Sequence, residues 1–148
     1  MHLPLREWHN RSQMVFVTVC AAKRKRIFAH EEVHAVFRNA WERAAGWMTG
    51  RYVILPDHVH FFCAPAVAEA RELKLWIQYW KTLVSRIWPR PEEQPIWQDG
   101  FWDRQLRSTE SYAAKWEYVV RNPVRHGLVV TPEAWPFQGE MNILDWHE

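Results

Sequence analysis

Cysteine is scarce in this chain: Cys20 and Cys63 are the only two, far apart and in apolar surroundings. They can build neither a disulfide framework nor a zinc spacing, and a reducing cytoplasm is the compartment they suit. Long apolar runs are missing as well. The first residues, among them Arg6, Glu7, His9 and Arg11, lack the hydrophobic stretch of a signal peptide, and no segment reaches the length of a membrane span. A soluble, intracellular protein with no membrane partner is expected. Repeats, low-complexity tracts and flexible linkers are absent too. The 148 residues are therefore expected to form a single domain, its core over about 12–130 and an acidic tail over 131–148. The hydrophobic fraction of 48% is enough for a packed core without covalent staples.

Positive charge runs out early. No Lys or Arg follows Arg125, whereas Glu133, Glu140, Asp145 and Glu148 do. Residues 1–125 thus hold all 19 basic side chains against 13 of the 17 acidic ones, a balance of +6. A basic body permits binding to a polyanion, although many proteins without that function share it. Tryptophan, by contrast, is abundant, with 11 copies. Most are expected in the core; stacking on unpaired bases is open to any that are exposed.

Periodicity outlines the elements. Met14 to Cys20 is apolar on both alternating sets, the pattern of a strand buried on both faces. The basic turn Lys23-Arg24-Lys25-Arg26 follows. Val33, Val36, Phe37, Ala40, Trp41, Ala44 and Met48 recur at helical spacing and predict a helix over Glu31 to Trp47. Strands are predicted at Arg51 to Leu55 and Val59 to Ala64, and a helix over Ala68 to Ile87, stopped by Pro89 and Pro91. A strand near Trp102 to Arg107 leads to Ser108, which can cap a helix over Thr109 to Arg121, ended by Asn122-Pro123. The order β-α-β-β-α-β-α is the ferredoxin-like, split βαβ pattern of an α+β protein. It implies an antiparallel sheet with helices on one face, plus an extra C-terminal helix carrying Tyr118.

Two segments carry chemistry. In Leu55-Pro56-Asp57-His58-Val59-His60-Phe61-Phe62, residues two apart on a strand point to one face, so His58 and His60 project together and can chelate one divalent ion. Two half-exposed polar residues near a turn would look the same. In Lys115 to Val129, Tyr118 and Asn122 are four apart, on one helical face if the last turn stays regular. A phenol, with a pKa of about 10, needs help to act as a nucleophile at neutral pH, and a metal that polarises a phosphate supplies it. Equally, a tyrosine on an amphipathic helix can belong to the core, and Asn before Pro is an ordinary helix end. Tyr52, Tyr79 and Tyr112 are rival tyrosines; Tyr112, six residues earlier, faces elsewhere.

Taken in order, these segments resemble the single-tyrosine HUH transposases, in particular the REP-associated tyrosine transposases. The resemblance runs through Tyr52-Val53-Ile54-Leu55-Pro56-Asp57-His58-Val59-His60, Ile96-Trp97-Gln98, Phe101-Trp102-Asp103, Arg107-Ser108, Tyr118 to Val129 and Trp135-Pro136-Phe137, roughly residues 12 to 137. Asp57 stands where the family often has Asn. The resemblance implies a ferredoxin-like fold, His58, His60 and Asn122 as ligands of Mg²⁺ or Mn²⁺, and Tyr118 as nucleophile. It also implies attack on a phosphodiester of single-stranded DNA, leaving a 5′-phosphotyrosine and a free 3′-hydroxyl that can later rejoin the strand.

The implied substrate is hairpin DNA of repetitive palindromic elements, in a nucleoid-associated cytoplasmic setting. Lys23, Arg24, Lys25, Arg26, Lys81, Arg104, Arg107, Arg121 and Arg125 are the candidate phosphate contacts. A monomer with its site in cis is favoured over a homodimer that exchanges the tyrosine helix. The competing readings are a catalytically silent hairpin-DNA or RNA-binding ferredoxin-like module, and a metallohydrolase that forms no covalent product.

Overall fold

The computed structural model describes residues 14–107 and 109–144. Its frame is a five-stranded sheet: β1 (Val15–Cys20), β2 (Trp47–Ile54), β3 (His58–Pro65), β4 (Trp102–Gln105) and β5 (Gln138–Glu140), in the order β4-β1-β3-β2-β5. Every neighbouring pair is antiparallel. Three helices, α1 (Glu31–Arg43), α2 (Leu73–Arg86) and α3 (Thr109–Val120), accompany it, followed by a single turn, α4 (Asn122–Arg125).

The double apolar alternation of β1 has a direct structural counterpart. Val15, Val17 and Val19 pack with Phe37 and Trp41 of α1 and Trp76, Ile77 and Trp80 of α2 on one side of the sheet. Met14 and Phe16 point the other way, into a second cluster with Phe62 and Val119, against which Tyr112 and Trp116 of α3 pack. So α1 and α2 cover one face and the tyrosine-bearing helix covers the other. Both layers remove large apolar area from water, at roughly 25 cal/mol per Å². Most tryptophans serve this purpose: Trp41, Trp47, Trp76, Trp80, Trp88 and Trp135 are buried, and the rings of Trp41 and Trp80 stack 5.3 Å apart. Trp102 is the exception, 68% exposed.

Several boundaries differ from the sequence expectation. The first helix stops at Arg43 instead of Trp47, because the chain turns through Gly46 at φ +106, a conformation that costs glycine no Cβ clash. Trp47 and Met48 then open β2. The second helix begins at Leu73, not Ala68. Asn122-Pro123 interrupts the last helix without ending helical structure: Pro123 falls in the first turn of α4, where its missing N–H is no loss. The cap expected of Ser108 lies outside the described residues. No helix among the described residues is long and apolar enough to cross a membrane.

The segment read as an acidic tail contributes β5, which pairs with β2 from Arg51↔Glu140 to Val53↔Gln138. Trp135 fastens it, its buried indole donating to the Ile54 carbonyl at 2.9 Å. Trp135→Phe removes that donor while keeping most of the apolar bulk. It is expected to lower stability by about 1–3 kcal/mol, read as a lower urea midpoint with an unchanged slope.

Candidate active site

Strand geometry sets the centre of the site. The chain turns sharply at Pro56-Asp57, with the Leu55 N–H donating to the His58 carbonyl at 2.7 Å. From there the period of two sends Val59, Phe61 and Cys63 into the core beneath α1 and α2. It sends His58, His60 and Phe62 to the opposite face, where Phe62 lies 4.7 Å from the Tyr112 ring. The two imidazoles stand edge to face, centroids 4.8 Å apart.

Each imidazole is held by its Nδ1 edge. His58 Nδ1 donates to Asp57 Oδ1 at 2.7 Å, since an ionised carboxylate can only accept. Asp57 in turn receives Arg24 Nε at 3.0 Å, and Arg24 Nη2 comes to 3.5 Å from His58 Nδ1. Lys23 and Arg24 both lie in the left-handed region, at φ 55 and 54, a strained pair of non-glycine conformations in the turn that aims this guanidinium. His60 Nδ1 lies 2.7 Å from the hydroxyl of Thr18, its direct cross-strand partner, and its ring stacks on Phe16 at 5.3 Å. Among the described residues neither Nε2 makes a hydrogen bond, so the free edges of both rings are those away from Asp57 and Thr18.

Electrostatics keep these rings neutral. Burial lowers the pKa of His58, opposed by Asp57. Burial pulls His60 further down, to about 3, helped by the positive charges of Lys115 and Arg125. Neutral imidazole is the form that can donate a lone pair to a metal. Burial acts to raise the Asp57 carboxyl, but the hydrogen bonds from His58 and Arg24 outweigh it and hold the group below its usual value.

Tyr118 sits in the last turn of α3, on the histidine side of the sheet, and is 60% exposed. Arg125 ties it to Asn122. Its guanidinium lies 3.9 Å from the Tyr118 ring centre, and Nη2 donates both to the Tyr118 carbonyl at 2.6 Å and to the Asn122 amide oxygen. Asn122 itself is buried. Lys115, one turn before Tyr118, places its ammonium 4.9 Å from the Phe16 ring and 5.9 Å from that of Tyr118. Tyr112 points into the sheet, as the spacing anticipated.

A groove of about 810 Å³ runs between β4 and α3, lined by Arg104, Arg107, Lys115 and Tyr118. The other basic candidates are placed differently. Arg24 is engaged with Asp57 beside the histidines. Lys23 and Arg26 are exposed in the same turn. Lys25 gives its ammonium to the carbonyls of Glu93 and Pro95, and Lys81, on α2 beneath the opposite face, gives its own to those of Gln98 and Gly100. Arg121 pairs with Glu117 at 3.2 Å, both exposed.

Thr18, Phe16, Lys115 and His126 escaped the sequence reading as members of this site. Only strand register brings Thr18 to His60. Lys115 could have been found from its spacing of three before Tyr118, which puts both on one helical face.

The donor set suits a divalent cation in part. Among the described residues no group of three or more His, Cys, Asp or Glu could hold a metal. The residues to weigh are the two imidazoles and Asn122, which is buried and whose amide oxygen accepts from Arg125. That oxygen has two lone pairs, of which Arg125 takes one.

No family model matches the chain. A curated protein of Haemophilus influenzae, "Putative REP-associated tyrosine transposase", is 27% identical over 139 residues, covering 84% of this chain and 77% of that protein. The Escherichia coli "REP-associated tyrosine transposase" is 30% identical over 104 residues, covering 70% of this chain but only 59% of that protein. Among solved structures, the REP-associated tyrosine transposase bound to a REP hairpin superposes with a TM-score of 0.72 at 23% identity, covering 86% of this chain and 76% of that one. A putative transposase from Deinococcus radiodurans gives 0.52 at 15% identity, covering 72% and 87%. The fold is therefore one found among transposases. More particularly, the chain is a homologue of the REP-associated tyrosine transposases.

Proposed function

We propose that this protein is a metal-dependent nuclease and strand transferase acting on single-stranded, hairpin-forming DNA, with Tyr118 as nucleophile. The observation that supports the reading is that His58 and His60, with free Nε2 edges, and the helix that bears the exposed Tyr118 lie on the same face of the sheet, with a basic groove along that helix. The strand order β4-β1-β3-β2 with α1 and α2 on one face agrees with a ferredoxin-like split βαβ core. The hairpin in the matched transposase structure supports the same substrate class for this chain.

His58, His60 and Asn122 would hold Mg²⁺ or Mn²⁺, which when bound supplies Lewis-acid polarisation of a phosphate. The chain's own residues do the remaining work. Asp57 and Thr18 fix the ring orientations. Arg104, Arg107 and Lys115 hold the backbone of the strand by charge. The Tyr118 oxygen forms a bond to phosphorus as the bond to the 3′ oxygen breaks, and the phenol's proton ends on that 3′ oxygen or in solvent. One phosphodiester replaces another, so no external energy is needed and the reverse attack rejoins DNA.

Incubation with Mn²⁺ and a single-stranded hairpin oligonucleotide tests the reading. The expected product is a denaturant-stable protein–DNA adduct that a chelator prevents. Cleavage without an adduct would favour a metallohydrolase, and binding without cleavage a silent binding module.

Asp57 gives a separate test of the metal centre. Asp57→Ala leaves His58 Nδ1 without its acceptor and is expected to weaken Mn²⁺ binding about 10–100-fold by calorimetry. Asp57→Asn keeps an oxygen acceptor and is expected to lose much less.

A further inference from the structure

We infer that Trp102 is a stacking platform for one unpaired base of the DNA strand, beside the metal-ligand pair. The inference rests on the single-strand reading of the site and adds a subsite that reads a base, where the groove holds only phosphates.

Register carries the placement. Trp102 is the direct cross-strand partner of Thr18, and Thr18 is the direct partner of His60. Directly opposed residues share a face, so Trp102, Thr18 and His60 form one row across three adjacent strands. Thr18 is committed to His60 by its hydroxyl. The indole therefore lies two strand spacings, about 10 Å, from the imidazole. A strand threaded past the histidines would meet it within about three nucleotides of the reacting phosphate.

The surroundings select the ligand. Arg104, two residues on, lies on the same face opposite Phe16, and the ammonium of Lys115 lies over that Phe16 ring. Arg104 and Lys115 also line the groove that contains Tyr118. A flat indole beside this run of cations offers a π-face for a base and charges for its flanking phosphates, the combination used to hold single strands. A protein partner's apolar side chain would suit the indole and leave those cations without counter-charge.

Exposure is the second observation. One exposed apolar residue needs no explanation by itself. Here six other tryptophans among the described residues are buried, while Trp102 stands 68% exposed on β4, which is an edge strand among the described residues. β4 is exposed along its whole length, so removing the indole disturbs little packing.

The test is an abasic scan. Affinity is measured by fluorescence anisotropy for a hairpin oligonucleotide with a single-stranded flank, with the base removed at each flank position in turn. For the unmodified protein one position is expected to stand out, with a loss of roughly five- to a hundredfold. Trp102→Ala should bind the intact strand weaker by a similar factor and lose the extra sensitivity at that position, and Trp102→Phe should recover most of both. A Trp102→Ala protein that keeps the position-specific sensitivity, or that binds every strand as tightly as before, would overturn the inference. Adduct formation is followed in parallel. An abasic signature without any adduct would support the stacking site and count against the nuclease; an adduct without the signature would do the reverse.

Discussion

Tyr118→Phe is expected to abolish the covalent protein–DNA adduct while leaving DNA binding nearly intact. The substitution deletes one oxygen from a side chain that is 60% exposed, so packing changes little. The Arg125 guanidinium keeps its place over the ring, because its hydrogen bonds go to the Tyr118 carbonyl and to Asn122, not to the hydroxyl. The bond to phosphorus cannot form without that oxygen, and the rival Tyr112 is directed into the sheet against Phe62. Adduct on a denaturing gel should fall to background, with binding changed less than about twofold. Tyr112→Phe should retain the adduct. Its hydroxyl is buried beside Arg51 and does not line the groove that Tyr118 borders.

His60→Ala should be the most damaging substitution among the proposed ligands. The ring is stacked on Phe16, anchored to Thr18 and kept neutral by burial, so it is prepared to donate a lone pair with little further ordering. Losing one of two imidazoles from so small a donor set should raise the Mn²⁺ concentration needed for cleavage at least tenfold. It should lower the cleavage rate at fixed metal by roughly 10²–10⁴, as expected when Lewis-acid stabilisation of several kcal/mol is withdrawn. Hairpin binding measured without metal should change little, because the proposed phosphate contacts line the groove between β4 and α3. A parallel loss of binding would place His60 in DNA contact instead.

What the amino-acid sequence discloses of this arrangement is the part that depends on local periodicity. The apolar sets of Val15–Cys20, the spacing of Phe37 and Trp41, and the strand period that puts His58 and His60 together can all be read without a structure. Where two periods agree with the same residues, the boundary is lost: Trp47 and Met48 extend the helical pattern of α1 and also fit a strand, and Gly46 decides between them. β5 is three residues of no recognisable pattern, made a strand by pairing with Arg51 to Val53 and by the Trp135 anchor.

The site divides in the same way. Strand period puts His58 and His60 on one face, whereas the choice of Tyr118 among the tyrosines comes from the resemblance of the ordered segments and not from spacing. The supporting contacts of Thr18 and the position of Trp102 follow from register, which no single strand encodes. Charge is the least legible of all. Lys25 and Lys81 look like phosphate contacts in the sequence, yet each is occupied by two backbone carbonyls.

The central claim, that the Tyr118 oxygen is joined to DNA, can be examined at the level of one peptide. Trypsin should release Trp116 to Arg121 as a single fragment, bounded by Lys115 and Arg121. After reaction with a hairpin strand and nuclease trimming, tandem mass spectrometry should find this peptide carrying a nucleotide on Tyr118 through its 5′-phosphate. A nucleotide on Tyr79 or Tyr112, or cleaved DNA with every tyrosine unmodified, would contradict the account.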